Sequence, residues 1–301
     1  MTAPAPAPGG FEEAELSHLV KHACKAAELD GTDARLLRGH TNAVVLLPDA
    51  GVVVKVARRG TPVATVQRTT RFVRWLMDRD FPTAPLHPGL AQPLLVDGNA
   101  VTFWTYLAQQ DRTVHAVQIA KPLHTLHTLP APPIELPQHD NIRAIRKSIA
   151  ATTSLTPSAL SFLTDRADQL EAALHEVSFA LPTGVLQGDP QHRNALHHGD
   201  AVVLTDWDTV AHGHPEWDLA TIEVHCRRFG YSPHHYKDFA AAYGFDVTTM
   251  PGYTTLRDLR ELRMITTNAR KTHHAPESLH EVQRRVDALR NQDHELRWRI
   301  L

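Results

Sequence analysis

The chain has few cysteines and no long apolar run, and its charges nearly balance. Two cysteines, Cys24 and Cys226, among 301 residues argue against a disulfide framework and fit a reducing, cytoplasmic compartment. No apolar run is long enough to cross a bilayer, so no membrane partner is expected. A net charge of −2 argues against a broad nucleic-acid-binding surface. Hydrophobic residues at 42% and charged residues at 21% are ordinary globular values.

The first ten residues, MTAPAPAPGG, also lack the basic and apolar regions of a signal peptide. Their Pro, Ala and Gly content predicts a disordered tail over residues 1–10. The rest of the chain is longer than a single average core needs, and it suits one domain of two lobes.

One segment carries an Asp, an Asn five residues later and a further Asp after a hairpin-like stretch: LQGDPQHRNALHHGDAVVLTDWDTVAHGHPEWDLA, residues 186–220. Within it, two short apolar runs at 195–197 and 201–205 flank a turn, which predicts an antiparallel hairpin. Asn194 and Asp206 are equidistant from Asp200 along the chain. We therefore expect them opposite each other to within one register step, at roughly 4.5–5.5 Å between Cα atoms.

Two oxygen-bearing side chains at that spacing can share a hard cation such as Mg²⁺, which uses few protein ligands. Asp189 precedes the pair in a loop broken by Pro190, so it is free to face a substrate hydroxyl and accept its proton. This order of residues is used by phosphoryl-transfer enzymes of the kinase type. The alternative is that Asp189, Asn194 and Asp206 are ordinary turn residues, which explains each one singly better than all three together.

The motifs GDPQHRN, LTDWD and PEWDLA, in this order, resemble those of the aminoglycoside phosphotransferase and choline kinase-like family. The resemblance runs from about Ala34 to the last predicted helix. It implies an α+β, protein-kinase-like two-lobed fold, with a small antiparallel β-sheet N-lobe over 11–106 that binds nucleotide. A mainly helical C-lobe over 107–301 would hold the catalytic and metal loops and the acceptor site.

The same resemblance implies an activity and its cofactors. ATP (or GTP) would donate a phosphate, with Mg²⁺ on Asn194 and Asp206 and with Asp189 as catalytic base. The acceptor would be a hydroxyl of a small molecule, such as an antibiotic, an amino sugar or an amino alcohol. The family residue that braces the catalytic loop corresponds to Asp218. This residue also lies in the first turn of a predicted helix, where the helix dipole stabilises a carboxylate.

The nucleotide would be held by residues of the first lobe. Lys55, in the strand VVVKVA, matches the lysine that contacts the donor phosphates. The loop formed by Gly39, His40, Thr41 and Asn42 could offer backbone N–H groups to phosphate oxygens, although a plain hairpin loop fits equally well. The linker at 104–107 would meet adenine through its backbone, and Thr105 and Leu107 are the residues assigned to it.

The chain departs from the family pattern in two places. Gln187 stands where the family has His before Gly-Asp, which puts the rigidity of the catalytic loop in doubt. No acidic residue occurs between Asp49 and Asp78, so the helix predicted there lacks the Glu that pairs with the lysine. Either an amide such as Gln67 (with Thr69 also a candidate) or the metal-site Asp206 positions Lys55, or the lysine is poorly held.

Two rival functions remain open. The missing acid keeps a nucleotide-binding regulatory protein without transfer activity in view. The chain also has 21 histidines, and several near the motif could build a zinc or di-metal hydrolase site with Asp189 and Asp206. The histidines concerned are His192, His197, His198, His212, His214 and His225.

The charge balance of the last predicted helices bears on the identity of the acceptor. From residue 255 to the end, ten Lys and Arg outnumber seven Asp and Glu, which argues against a highly charged aminoglycoside. Asp208, Glu223 or Glu261 could still line a cationic pocket, although salt bridges on a surface or helix face are the simpler expectation.

Hydrophobic periodicity and turn signals predict the remaining elements. Helices are expected over 11–29, 62–78, 114–129, 141–152, 157–177, 216–228, 233–243, 255–271 and 276–297, and further strands over 36–38, 43–47, 52–57, 94–96 and 101–106.

Overall fold

The computed structural model describes residues 8–39, 41–109, 111–273 and 275–301, and the chain divides into two compact units. The first unit comprises the chain up to Thr113 together with Pro132–Glu135 and Ala195–Asp208. The second comprises Val114–Ala131, Leu136–Asn194 and Thr209–Leu301. The hairpin segment 195–208 therefore groups with the first unit, whereas the sequence assigned everything after residue 106 to the second lobe.

The first unit contains a five-stranded antiparallel sheet in the order β1-β2-β3-β5-β4. Its strands are β1 (Arg35–Arg38), β2 (Ala43–Leu47), β3 (Val52–Val56), β4 (Leu94–Val96) and β5 (Asn99–Thr105). In β2 and β3 alternate residues are buried, as β-branched strands with one covered face require. Val52, Val54 and Val56 enter the core, so Lys55 lies on the other face of the sheet.

Two helices accompany this sheet. Helix α1 (Glu13–Ala26) packs its apolar stripe, including Leu16, Leu19 and Val20, into one core with β2, β3 and β5. Helix α2 (Val63–Met77) buries Phe72 and Trp75.

The N-terminal segment was expected to be a tail up to residue 10. Pro8–Gly10 instead form a 3-10 turn whose Gly9 N–H donates to the Gly39 carbonyl at 2.7 Å. The Gly9 carbonyl accepts from Arg59 N–H at 3.0 Å. Residues 8–10 are therefore part of the first unit, while the remainder of the expected tail lies outside the described residues.

The predicted hairpin is present as β7 (Ala195–His198) and β8 (Ala201–Leu204). Its turn has two residues, Gly199 and Asp200, instead of the expected three, and Gly199 supplies the positive φ that such turns need. Leu204 fixes the hairpin to the first unit, because its carbonyl accepts from Ala84 N–H at 2.9 Å and its N–H donates to the Pro82 carbonyl at 2.9 Å.

The second unit is mainly helical. Its helices are α3 (Ala116–His127), α4 (Asn141–Ala150), α5 (Pro157–Leu174), α6 (Glu216–Arg228), α7 (Pro233–Tyr243), α8 (Tyr253–Lys271) and α9 (Leu279–Arg290). Helix α8 packs against α4, α5, α6 and α9, and α3 packs against α7. Two strands that the sequence analysis missed, β6 (Gly184–Leu186) and β9 (Ala211–Gly213), pair antiparallel.

The last helix ends earlier than predicted, at Arg290 and not at residue 297. Gln292 adopts a φ of +53°, which breaks the helix. The segment beyond it is held by Arg228, whose Nη1 donates to the carbonyls of Asp293 and Leu296, while Trp298 N–H donates to the Arg228 carbonyl. Among the residues that the structure describes, no helix combines the length and the apolar character that a membrane span requires.

Candidate active site

The loop that the sequence predicts to be catalytic begins where β6 ends. Gly188 takes a φ of +83°, and a Cβ built on it would lie 2.3 Å from the Thr209 carbonyl oxygen. Only glycine fits such a position, because a side chain there meets both backbone strain and a rigid carbonyl. The sequence Gly-Asp therefore places Asp189 directly after a turn that the local backbone tightly constrains.

The carboxylate of Asp218 binds the backbone of this loop. Its Oδ1 accepts from Gly188 N–H at 2.9 Å, and its Oδ2 accepts from Gln187 N–H at 2.8 Å and from His127 Nε2 at 3.1 Å. The other nitrogen of His127, Nδ1, accepts from the Tyr243 hydroxyl at 2.7 Å. Asp218 is 1% exposed, so this buried carboxylate satisfies two backbone donors of the loop. The bracing role implied by the family resemblance matches these contacts.

Gln187 also stabilises the loop. Its side chain is completely buried, and its Oε1 accepts from Asp189 N–H at 2.7 Å. The Gln187 carbonyl accepts from the Thr209 hydroxyl at 3.0 Å. The departure from the family's His thus leaves a loop whose backbone donors are still paired.

Asp189 has three hydrogen-bond donors around its carboxylate. Oδ2 accepts from Gln191 Nε2 at 2.8 Å and from Asn194 Nδ2 at 3.3 Å. Oδ1 accepts from Arg260 Nη2 at 2.5 Å. An ionised carboxylate has about four lone-pair positions, so one acceptor position remains for a further donor.

Asn194 is oriented by the same loop. Its Nδ2 donates to the Asp189 carbonyl at 2.9 Å, which leaves the amide oxygen Oδ1 as an acceptor or metal ligand. Asn194 directly precedes β7, and continuing the ladder (Ala195 opposite Leu204) would pair it with Thr205, one residue before Asp206. The paired residues end at Ala195 and Leu204, so the expected opposition of Asn194 and Asp206 stays a prediction.

Asp206 leaves the strand by a left-handed turn, with a φ of +59°. The next residue, Trp207, is completely buried and donates from Nε1 to the Thr83 hydroxyl at 2.8 Å. Its ring meets Phe72 edge-on at 5.4 Å and Phe81 at 6.0 Å. The indole therefore anchors the segment Asp206–Trp207–Asp208 within the first unit.

Lys55 is held by both carboxylates of that segment. Its Nζ donates to Asp206 Oδ1 at 3.1 Å and to Asp208 Oδ2 at 2.9 Å. Burial alone would lower the pKa of Lys55, but the two carboxylates outweigh it and raise the pKa above its usual value. The ammonium is therefore charged at neutral pH.

Helix α2 supplies none of the expected stand-ins. Gln67 is exposed, and the Thr69 hydroxyl donates to the Thr65 carbonyl. Of the alternatives that the sequence left open, Asp206 is the residue that contacts Lys55. Asp208, which the sequence offered only for a cationic pocket or a surface salt bridge, is a second partner. Two features of the sequence together could have predicted this role of Asp208. The helix α2 has no acidic residue to pair with Lys55, and a second acidic residue follows two positions after Asp206.

The residues assigned to the nucleotide are placed as follows. The Gly39 carbonyl is engaged by Gly9, Thr41 is exposed, and Asn42 donates to Asp208 Oδ2 at 2.8 Å while accepting from Arg58 N–H at 3.0 Å. His40 lies outside the described residues.

In the expected linker, Thr105 N–H donates to the Pro85 carbonyl at 2.9 Å. The Leu107 carbonyl accepts from Gln109 Nε2 at 2.7 Å.

Arg260 was not singled out by the sequence. It lies on α8, 71 positions from Asp189, and is 7% exposed. Only the folded chain brings it to the loop, so neither spacing nor periodicity carries a local signal for it.

Of the motif histidines, His192 is the one found in a possible metal cluster in the part of the chain described. Donor atoms of His192, Cys226 and His235 all lie within 4.8 Å of one another. His235 Nε2, however, already accepts from Ala116 N–H at 3.1 Å and lies 2.9 Å from His192 Nε2. These contacts describe a hydrogen-bonded buried cluster, and neither Asp189 nor Asp206 belongs to it.

The model of the phosphotransferase enzyme family (APH) matches residues 33–259. A search of curated proteins finds no match.

Solved structures resemble the chain over most of its length. Choline kinase LicA from Streptococcus pneumoniae is 16% identical with a TM-score of 0.66, over 90% of this chain and 99% of that one. Amicoumacin kinase hAmiN, in complex with AMP-PNP, Ca²⁺ and Ami, is 12% identical with a TM-score of 0.68, over 95% and 98%. Aminoglycoside phosphotransferase APH(3'')-Id from Streptomyces rimosus is 19% identical with a TM-score of 0.59, over 83% and 99%. The fold is α+β and protein-kinase-like, as expected from the sequence.

Proposed function

Because the chain belongs to the phosphotransferase enzyme family, we propose that this small-molecule phosphotransferase is an ATP-dependent kinase. It moves the γ-phosphate of ATP (or GTP) to a hydroxyl of a small molecule. The observation that carries the proposal is Asp189, which is fixed by three donors on a braced loop and keeps one acceptor position that no described residue fills.

Asp189 acts as the base in this scheme. The acceptor hydroxyl donates to the carboxylate, which orients the hydroxyl oxygen toward the γ-phosphorus. The carboxylate takes the hydroxyl proton as the new O–P bond forms and the bond between the γ-phosphorus and the β,γ-bridging oxygen breaks, which releases ADP (or GDP). The transition state of phosphoryl transfer is loose, so most of the catalysis comes from positioning and charge stabilisation. The contacts of Gln187, Asp218 and Gly188 serve that positioning, because they fix the backbone on which Asp189 stands.

Asn194 and Asp206 are the proposed ligands of a magnesium ion in this scheme. The amide nitrogen of Asn194 is already used as a donor, which leaves its oxygen as a ligand. Asp206 supplies a carboxylate, and hard oxygen ligands of this kind are what Mg²⁺ prefers. Bound Mg²⁺ would neutralise charge on the donor phosphates.

Lys55 contacts the donor phosphates in the same scheme. Its ammonium is charged and held by two carboxylates, so its position does not depend on a glutamate from α2. The loop of Gly39, His40, Thr41 and Asn42 would cover the phosphates. Thr105 and Leu107 would meet the adenine, and the AMP-PNP bound to amicoumacin kinase hAmiN supports a nucleoside triphosphate donor.

The direct test is the variant Asp189→Asn. It keeps the shape of the side chain but removes the base, so we expect kcat to fall by roughly 10²-fold or more. Binding of an ATP analogue should be unchanged, whereas Asp206→Ala should weaken Mg²⁺-nucleotide binding. The kcat is measured as ADP release with Mg²⁺-ATP and a panel of hydroxylated compounds. Nucleotide binding by both variants is measured by calorimetry.

Asp200→Asn is the matched control, since Asp200 is exposed in the β7–β8 turn of the same motif. Full turnover by Asp189→Asn on a true substrate would show that the base is wrongly assigned.

The regulatory alternative is motivated by the acid missing from α2. The contacts of Lys55 with Asp206 and Asp208 weaken that motive, because the lysine has carboxylate partners without the helix. Nucleotide binding without Mg²⁺-dependent ADP release, across the whole panel, would favour the alternative.

A further inference from the structure

Two arginines, Arg260 and Arg263, lie one turn apart on α8, and the first of them pairs with the carboxylate of Asp189. Arg260 donates from Nη2 to Asp189 Oδ1, and the same nitrogen lies 3.3 Å from His225 Nε2. Arg263 donates from Nη1 to the Asn141 side-chain oxygen at 2.8 Å. All of these residues belong to the second unit.

The positive charge at this place is only partly balanced. The carboxylate partner of Arg260 is Asp189 itself, and Arg260 Nε is buried without a hydrogen-bond partner among the described residues. Arg263 forms no ion pair within 4.0 Å in the described part of the chain. Burial and the neighbouring Arg260 lower the pKa of Arg263 to about 10, which is what an uncompensated guanidinium experiences.

The histidines nearby add no charge at neutral pH. Burial, followed by the repulsion of Arg260, lowers the pKa of His225 well below its usual value. Burial and Arg263 lower the pKa of His139 to about 4. Asp140, the other carboxylate that acts on Arg263, accepts from Arg143 N–H at the start of α4 and is exposed.

The acids that could have matched a cationic substrate are already engaged. Glu261 pairs with Arg227 and Arg228, and Glu223 pairs with Arg227. Asp208 pairs with Lys55. Of the three, the Glu223 pair lies along one helix face as expected, whereas the Glu261 pair is buried between two helices and Asp208 pairs with a lysine of the sheet.

The free acceptor position on Asp189 lies next to Arg260. A hydroxyl that donates to Oδ1 would sit about 2.7 Å from that oxygen and therefore about 4–5 Å from the guanidinium. Any charged group on the carbon beside that hydroxyl falls within the field of Arg260. Because Asp189 offsets the charge of Arg260, the excess positive charge is that of Arg263, and this charge attracts an anionic oxyacid group and repels a cationic amine.

We propose that Arg260 and Arg263 form an anion-binding subsite of the acceptor site. The acceptor is then an alcohol that carries a carboxylate or phosphate group near its reactive hydroxyl, and it is not a polycation. This inference rests on the proposed kinase function, but the subsite itself can be tested by binding alone.

The experiment compares wild type with Arg263→Gln, with saturating Mg²⁺ and a non-hydrolysable ATP analogue present. Sulfate, D-glycerate, glycerol and 2-amino-1,3-propanediol are titrated at constant ionic strength, and the midpoint of thermal unfolding is followed. For the wild type we expect the two anions to stabilise at concentrations at least tenfold lower than the neutral and cationic alcohols. Arg263→Gln should lose that tenfold preference.

Arg257→Gln is the matched control on the same helix, because Arg257 already pairs with Asp258 at 2.7 Å. It should keep the anion preference of the wild type. Without any anion, Arg263→Gln should unfold at the same temperature as wild type or higher, since an unpaired charge is removed, whereas Arg257→Gln should unfold at a lower one. Equal responses of wild type and Arg263→Gln to both anions, including no response, overturn the proposal.

Two outcomes separate this proposal from the proposed function. An anion site sensitive to Arg263→Gln, in a protein that releases ADP with no acceptor, keeps the subsite and refutes the kinase. ADP release with amino alcohols in preference to hydroxy acids keeps the kinase and refutes the subsite. A rise in the KM for ATP alone in Arg263→Gln also refutes it, because the arginine would then serve the donor.

Discussion

Replacing Asp218 by Asn tests the bracing of the catalytic loop. The substitution is isosteric, but Asn has one acceptor oxygen where Asp has two. Asp218 accepts from Gly188 on Oδ1 and from Gln187 and His127 on Oδ2. In either orientation of the new amide, its NH₂ group therefore points at a backbone N–H.

The magnitude follows from these contacts. At least one hydrogen bond to a charged group is lost, at about 1.5–3 kcal/mol, and a buried N–H is left unpaired, at about 1–3 kcal/mol. Because Asp218 is 1% exposed, water cannot substitute. We expect a loss of roughly 3–5 kcal/mol in the free energy of unfolding, which for a unit of this size lowers the unfolding midpoint by roughly 6–20 °C.

Urea unfolding followed by far-ultraviolet circular dichroism, together with thermal unfolding, measures this loss. Asp200→Asn, in the exposed β7–β8 turn, is the control and should stay within about 0.5 kcal/mol of wild type. A loss below about 1 kcal/mol in Asp218→Asn would refute the reasoning, since the two donors would then have other partners.

Two further predictions concern Lys55 and the buried histidines. Asp208→Asn removes one of the two carboxylates that bind Lys55. Because the side chain of Asp208 is 42% exposed, the free energy of unfolding should fall by about 1 kcal/mol or less. In an ADP-release assay the KM for ATP should rise about tenfold, while the KM for the acceptor should not change. Burial lowers the pKa of His139 and of His192 to about 4, so the unfolded chain binds protons that the folded chain refuses between about pH 6.5 and pH 4. The free energy of unfolding should thus be highest above pH 6.5 and fall toward pH 4 by up to about 1.4 kcal/mol per pH unit for each histidine. Equal free energies of unfolding in urea at pH 7.5 and pH 5 would contradict this prediction.

The parts of the fold that sequence predicted well are those with strong local signals. β2 and β3 alternate buried and part-buried valines and leucines, and a Gly-containing turn joins them. The β7–β8 hairpin is marked by Gly199 and Asp200 between two apolar runs. β6 and β9 have three residues each, too few for a period to show, so they are visible only as a pair in the folded chain.

The candidate site divides in the same way. Asp189, Asn194 and Asp206 lie within one motif, so their spacing is enough to predict them as site residues, and their roles stay a prediction. Asp208 and Arg260 acquire their partners, Lys55 and Asp189, across 153 and 71 positions of sequence. Such pairs depend on topology, and a single sequence carries no pattern that reports them.

Asp208 supplies the second carboxylate for Lys55 that α2 does not supply. In the free protein, two carboxylates hold one ammonium, which leaves one unit of negative charge at Lys55. If Mg²⁺ binds Asp206 as proposed, that carboxylate is shared with the metal, and Asp208 still holds the lysine. The group then becomes net positive at the point where a nucleotide brings negative phosphates, so the metal and the donor should bind together more tightly than either alone.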